Sequence, residues 1–305
     1  MRAYRNVVRV VLDGGFLPLV AALQFLTRLP LPVRFPESDA IYRRSTVFYP
    51  AAGLLIGMLA AGAAYGLSAV FPLYVVAALA LGLWVFLTGG LHLDGFMDTA
   101  DGLLSYRPRE RMLEIMKDSR VGAMGVIACV LLLLMKMMLL AALLDGGAAA
   151  FETGVDVGSM VPSLAYIRLA CPLSLIERCL LFTLVPIWSR VFLPAAIAFW
   201  PYARQGGSGL GGMFRSVRGR HATAAVALAT LLSVLVLCVG GGWDWQDALV
   251  ACAVLSAATG LVGGIGATFA ARKLGGLTGD VYGALNETIE LALLLGLVAY
   301  LFRFG

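Results

Sequence analysis

From Ser45 to Leu93 the chain carries no Asp, Glu, Lys or Arg. A bilayer core about 30 Å thick is crossed by about 20 predominantly apolar residues in a helix. This run is therefore long enough for two crossings, broken near Phe71 and Pro72. The whole molecule follows suit: 60% of its residues are apolar and 13% are charged, where soluble domains average roughly 45–50% and about 25%. Such a composition excludes a soluble enzyme, a nucleic-acid-binding module and a disordered chain. The 36 glycines sit singly or in pairs inside apolar stretches, where small residues let membrane helices approach closely.

The expected fold is all-α: a polytopic membrane bundle forming one domain over residues 1–305, with 1–46 as a cytoplasmic or interfacial N-terminal segment. Spans are expected at about 47–69, 74–90, 121–144, 179–200, 222–241, 248–271 and 287–304, seven in all. Residues 10–27 and 161–176 are apolar but short or interrupted by charge and proline, which suits interfacial or re-entrant helices better than spans.

Loop charge tests this topology independently of hydropathy, because Lys and Arg accumulate on the cytoplasmic side. Residues 1–46, 91–120, 201–221 and 272–286 are rich in arginine or lysine, whereas 70–73, 145–160 and 242–247 carry none. Seven crossings from a cytoplasmic N-terminus satisfy every loop. The net charge of +5 thus reads as membrane orientation rather than as affinity for nucleic acid. Five cysteines, without metal-ligand spacing, give neither a disulfide framework nor a zinc site. The N-terminal stretch, interrupted by Asp13, reads as lacking a cleaved signal peptide.

The motifs that can carry chemistry all fall in the basic loops, which implies one composite site. In GGLHLDGFMDTADGL, residues 89–103, the spacing of Asp94, Asp98 and Asp101 places three carboxylates on one helical face. Such a stripe repels itself unless a cation sits among its members, and Mg²⁺ commonly takes one or two carboxylates plus phosphate oxygens and water. His92 in the same segment is a candidate general base or ligand, or a structural hydrogen-bonding residue. In MKDSRVGAMGV, residues 116–126, Lys117 and Arg120 precede a helix start suited to an anion. PYARQGGSGLGGMF, residues 201–214, offers Arg204 as a phosphate clamp but matches neither a P-loop nor a dinucleotide fingerprint. In GGLTGDVYGALNETIE, residues 275–290, Asp280 and Glu287 share a helical face and Glu290 follows. The last two enter a span, where an uncompensated acid is costly, and are expected to face a metal or Arg190. Acids for a divalent metal and arginines for phosphate together point to metal-assisted phosphoryl transfer.

These motifs, with FLTRLP at 25–30, resemble the cobalamin synthase (adenosylcobinamide-GDP ribazoletransferase) family over about 260 positions. The resemblance implies a Mg²⁺-dependent transfer of cobinamide phosphate from adenosylcobinamide-GDP to α-ribazole or its 5′-phosphate, releasing GMP, at the bacterial inner membrane with the active site facing the cytoplasm. Asp94, Asp98 and Asp101 are then expected to hold the metal on the pyrophosphate. Lys117, Arg120, Arg204 and Arg28 are expected to pair with phosphates, and Asp280 and Glu287 to complete the metal shell or accept the hydroxyl proton. Self-association as a homo-oligomer is compatible with this reading. A CDP-alcohol phosphotransferase shares the chemistry, but its DGxxAR signature does not continue after Asp94 and Gly95. A transporter places charge at midplane, and Lys136 and Arg190, read as lone cations within spans, do not outline a pathway.

Overall fold

A computed structural model describes residues 15–34, 38–145, 173–203, 214 and 216–304. Regular structure among them is helical, apart from an isolated bridge between Tyr202 and Leu277. Helix α1 spans Leu17–Leu26; α2, Asp39–Ser45, runs through a 3₁₀ turn into α3, Tyr49–Leu67. Then follow α4 (Leu73–Thr88), α5 (Leu91–Leu103), α6 (Arg109–Ile115), α7 (Ala123–Asp145) and α8 (Leu175–Phe199). The chain continues with α9 (Gly219–Leu235), extended by a π turn, then α10 (Trp245–Leu274) and α11 (Gly279–Phe304).

Six helical stretches among the described residues are long and apolar enough to cross a membrane: Asp39–Leu67, α7, α8, Gly219–Gly240, α10 and Gly279–Arg303. The pair α4 and α5, bent by 90°, brings the number to seven if taken as one broken span. The protein is a multi-pass, all-α membrane bundle. Most expected boundaries move by a few residues, and the first span begins at Asp39 rather than at 47. The last span starts at Gly279 rather than at 287, because Thr278 caps it by accepting from Val281 N (3.3 Å). The second span stops at Thr88; its 16 residues measure about 24 Å at 1.5 Å per residue. Residues 15–27 contribute the short helix α1 and no crossing, while nearly all of 161–176 lies outside the described residues.

Helix α8 is the axis of the bundle. Over its apolar window 83% is buried, against 28% for α7, Gly219–Gly240 and α10, and α3, α7, α9, α10 and α11 all pack on it. Ser174 and Glu177 close a capping box at its start, satisfying two otherwise orphaned groups. Lipid tails are as apolar as leucine, so helices in a membrane associate through close packing and polar contacts rather than through hydrophobic burial. Gly53 and Gly57 of α3 show this: a Cβ on Gly53 would collide with the carbonyl of Pro186, and one on Gly57 would stand 2.8 Å from Thr183 O.

Gly53→Leu should therefore lower the thermal unfolding midpoint of the detergent-solubilised protein, overpacking costing about 1–3 kcal/mol or more. Gly62→Leu on the same helix, where a Cβ meets nothing within 4 Å, should leave it in place. Equal shifts at the two sites would refute the packing assignment.

Candidate active site

Two consecutive left-handed residues make the corner that aims the acid helix. Gly89 (φ 63°) ends α4 and Gly90 (φ 70°) begins α5, a conformation that costs other L-residues roughly 1–2 kcal/mol. Arg28 braces this corner. Its amide donates to Leu87 O (2.8 Å), and its side chain lies so close that a Cβ on Gly89 would collide with it.

Helix α5 buries His92, Gly95, Thr99 and Gly102, one stripe at helical spacing. Asp94, Asp98 and Asp101 form a second stripe beside it, Asp94 exposed and the other two half-buried. Glycine recurs in the buried stripe because backbones meet there. A Cβ on Gly95 would stand 2.6 Å from Asp280 O, and one on Gly283 2.9 Å from His92 O. Helices α5 and α11 thus cross in direct contact, with Asp94 and Asp280 at the crossing. Asp280 accepts from Thr278 Oγ1 (3.3 Å).

Asp101 has a different task. Its Oδ2 accepts from Gly122 N and its Oδ1 from Gly125 N, both at 2.7 Å. The first amides of a helix lack intrahelical partners and carry the positive end of its dipole, so the carboxylate caps α7. The anion expected from sequence at this helix start is a side chain of the same protein. The two glycines admit it: a Cβ on either would strike the Asp101 carboxylate. Both Asp101 oxygens are thereby engaged by backbone amides.

Lys117 and Arg120 are exposed ahead of α7. Arg120 donates through Nη2 (2.8 Å) and Nε (3.1 Å) to Asp118. Those bonds and one from the Arg120 amide hold the Asp118 pKa down to about 2, so the pair is ionised at neutral pH. Arg204 lies outside the described residues, but the segment before it is anchored. Ala203 N donates to Leu277 O and Leu277 N to Pro201 O, both at 2.8 Å. Arg109, unremarked in the sequence beyond its loop charge, donates through Nε to Leu274 O (2.7 Å) and through Nη2 to Ala203 O (3.5 Å). Nothing in the sequence distinguishes it from Arg107 and Arg111. Through these contacts the motifs meet at one end of the bundle.

His92, expected as a general base, a ligand or a structural hydrogen-bonding residue, and Glu287, expected among the reacting groups, sit in a buried network beneath the crossing. Lys136 of α7 pairs with Glu287 and Glu290 of α11, and Arg190 of α8 pairs with Glu290 at 2.7 Å. The two membrane cations are therefore matched by two acids. Lys136 Nζ also lies 4.8 Å from the Trp84 ring centroid, a cation–π contact. Ser189 Oγ donates to Glu290 Oε1 (3.3 Å). Asn286 Nδ2 donates to the same oxygen (2.9 Å) and reaches His92 Nδ1 (3.1 Å). With the amide as donor, that imidazole nitrogen accepts, which is its neutral Nε2–H form.

The family model described as cobalamin-5-phosphate synthase matches residues 18–298. Relatives bearing the name adenosylcobinamide-GDP ribazoletransferase include one from Brevibacillus brevis, 34% identical over 91% of this chain and 96% of the relative. Another, from a Roseiflexus species, is 37% identical over 92% and 89%, and one from Pseudomonas savastanoi is 35% identical over 92% and 98%. No solved structure matches.

Asp101→Ala should cost about 1–2 kcal/mol, the range for a lost helix cap, and accelerate hydrogen exchange at Gly122 and Gly125. Unchanged exchange at those amides would contradict the capping role.

Proposed function

The chain belongs to the cobalamin-5-phosphate synthase family, and we propose that it transfers the cobinamide-phosphate moiety of adenosylcobinamide-GDP to α-ribazole, or to its 5′-phosphate, releasing GMP. The observation that carries this reading to particular residues is the α5–α11 crossing: Gly95, next to Asp94, packs on the backbone of Asp280, and Asp101 on the same helix binds the start of α7 behind Lys117 and Arg120. The ribazole hydroxyl attacks the phosphorus bonded to cobinamide; a new P–O bond forms there and the bond to the GMP oxygen breaks. Asp280 takes the hydroxyl proton. Glu287, a second candidate from sequence, is committed to Lys136.

Mg²⁺ suits this site as an ion completed by substrate. Among the described residues no three His, Cys, Asp or Glu side chains converge as a metal cage. Asp94 and Asp98, one turn apart, supply the one or two carboxylates that Mg²⁺ takes alongside phosphate oxygens. Held by Asp94 and Asp98, such an ion would supply charge neutralisation to the pyrophosphate and to the leaving group. Lys117, Arg28, Arg120 and Arg204 provide the positive charge that draws the phosphates in. The basic loops support a site on the cytoplasmic face of the inner membrane.

Asp94→Asn and Asp98→Asn should each abolish GMP release from adenosylcobinamide-GDP and α-ribazole in liposomes with Mg²⁺, while the variants still insert. Full turnover in either would remove the metal assignment, and no product from the unaltered protein would sink the reaction itself. For orientation, a cysteine introduced at Asp244 should react with an impermeant thiol reagent added to intact cells, and one at Lys117 only after permeabilisation. The reverse pattern would invert the topology.

A further inference from the structure

The glycine contacts between α5 and α11 set how closely the helices approach but leave open where one sits along the other. Gly95 and Gly283 meet backbone, so no side chain interlocks at those positions. A directional bond is needed to fix the register, and the buried network supplies one. We propose that Asn286 and His92 are positioning residues, coupling the acid helix to the charge network so that Asp94 and Asp98 are held in register with Asp280; this rests on the function proposed above.

Several observations converge on this. His92 precedes Asp94 by two residues on α5, is buried, and hydrogen-bonds to Asn286. Asn286 is itself fully buried, and its amide nitrogen joins His92 to Glu290 Oε1. That oxygen is fixed independently by Arg190 Nη1 (2.7 Å) and Ser189 Oγ (3.3 Å) from α8. Glu290 Oε2 and Glu287 are held by Lys136 from α7. The acceptor of the Asn286 bond is therefore anchored to the axis of the bundle, and α5 is tied to that anchor through the amide. Both side chains are buried, so a group that loses its partner here is costly to leave unpaired, and sliding α5 along α11 is opposed at this point. Neither residue needs to touch reacting atoms to matter, since displacing a catalytic group by about 1 Å can cost about 10²-fold in rate.

The decisive comparison is between two variants that each remove one bond to the same Glu290 oxygen. Asn286→Leu severs the link to α5; Ser189→Ala does not. In the full-length protein in detergent, Mn²⁺ binding is measured by electron paramagnetic resonance, and kcat and KM by GMP release. Asn286→Leu should weaken Mn²⁺ binding by about 10-fold, as loss of a group supporting a metal ligand does, and lower kcat by about 10-fold or more with little change in KM. Ser189→Ala should leave both near the unaltered values. Exchanging the partners, His92→Asn with Asn286→His, should restore turnover and Mn²⁺ binding above those of His92→Asn alone, and this comparison decides the matter if Asn286→Leu fails to insert. Equal behaviour of Asn286→Leu and Ser189→Ala, or no recovery on exchange, overturns the positioning role while leaving the reaction in place. If the unaltered protein neither binds Mn²⁺ nor releases GMP, the function itself is overturned, and this proposal with it.

Discussion

The structure depends on a balance of charge inside the bundle. An isolated ion is expensive in hydrocarbon, and Lys136 and Arg190 are both buried. They are matched by Glu287 and Glu290, two acids one turn apart on α11. Pairing two formal positive charges with two negative ones offsets this penalty, and Ser189 and Asn286 both donate to Glu290 Oε1. A buried ion pair adds little stability over an apolar alternative, but removing one member leaves a charge unmatched, at a cost of about 3–5 kcal/mol. The network therefore specifies an arrangement: α7, α8 and α11 can come together in only those rotations that bring all four charges into contact.

Around that fixed centre, glycines let the functional elements come close. The α4–α5 corner needs left-handed residues, the α5–α11 crossing needs bare backbone, and the start of α7 needs two positions without Cβ so that a carboxylate can reach its amides. Each device brings a motif to the same end of the bundle. Arg109 ties the end of α10 to the segment before Arg204, and Arg28 braces the corner. A site assembled from short, distant segments is thus set by side-chain and backbone contacts rather than by one continuous loop.

Much of this was legible in the sequence, for physical reasons. Charge-free runs of sufficient length have few alternatives to crossing a membrane, so the spans emerged with shifts of a few residues at most ends. The acid stripe was readable because spacings of four and three define a helical face whatever the tertiary structure. Pairings between helices were readable only in part: Glu290 meets Arg190 as expected, but Lys136 and Glu287 are separated by 151 positions, and spacing along a chain does not say which faces meet. The same gap hid the roles of Asp101 and Arg109. Each looked like one of several equivalent charges until its partner, a pair of glycine amides or a helix-terminal carbonyl, came into view. An acid in a span demands a partner, and for Glu287 that partner is Lys136.

The shortness of α4 has a consequence for the membrane around the protein. A helix about 24 Å long beside others of 22–30 residues falls short of a hydrocarbon layer about 30 Å thick. Such mismatch is relieved when the bilayer thins locally. The acid helix begins where α4 ends, so thinning there would bring the aqueous boundary towards Asp94 and Asp98. The right-angled corner thus stands at the point along the bundle where the lipid surface would be drawn in most.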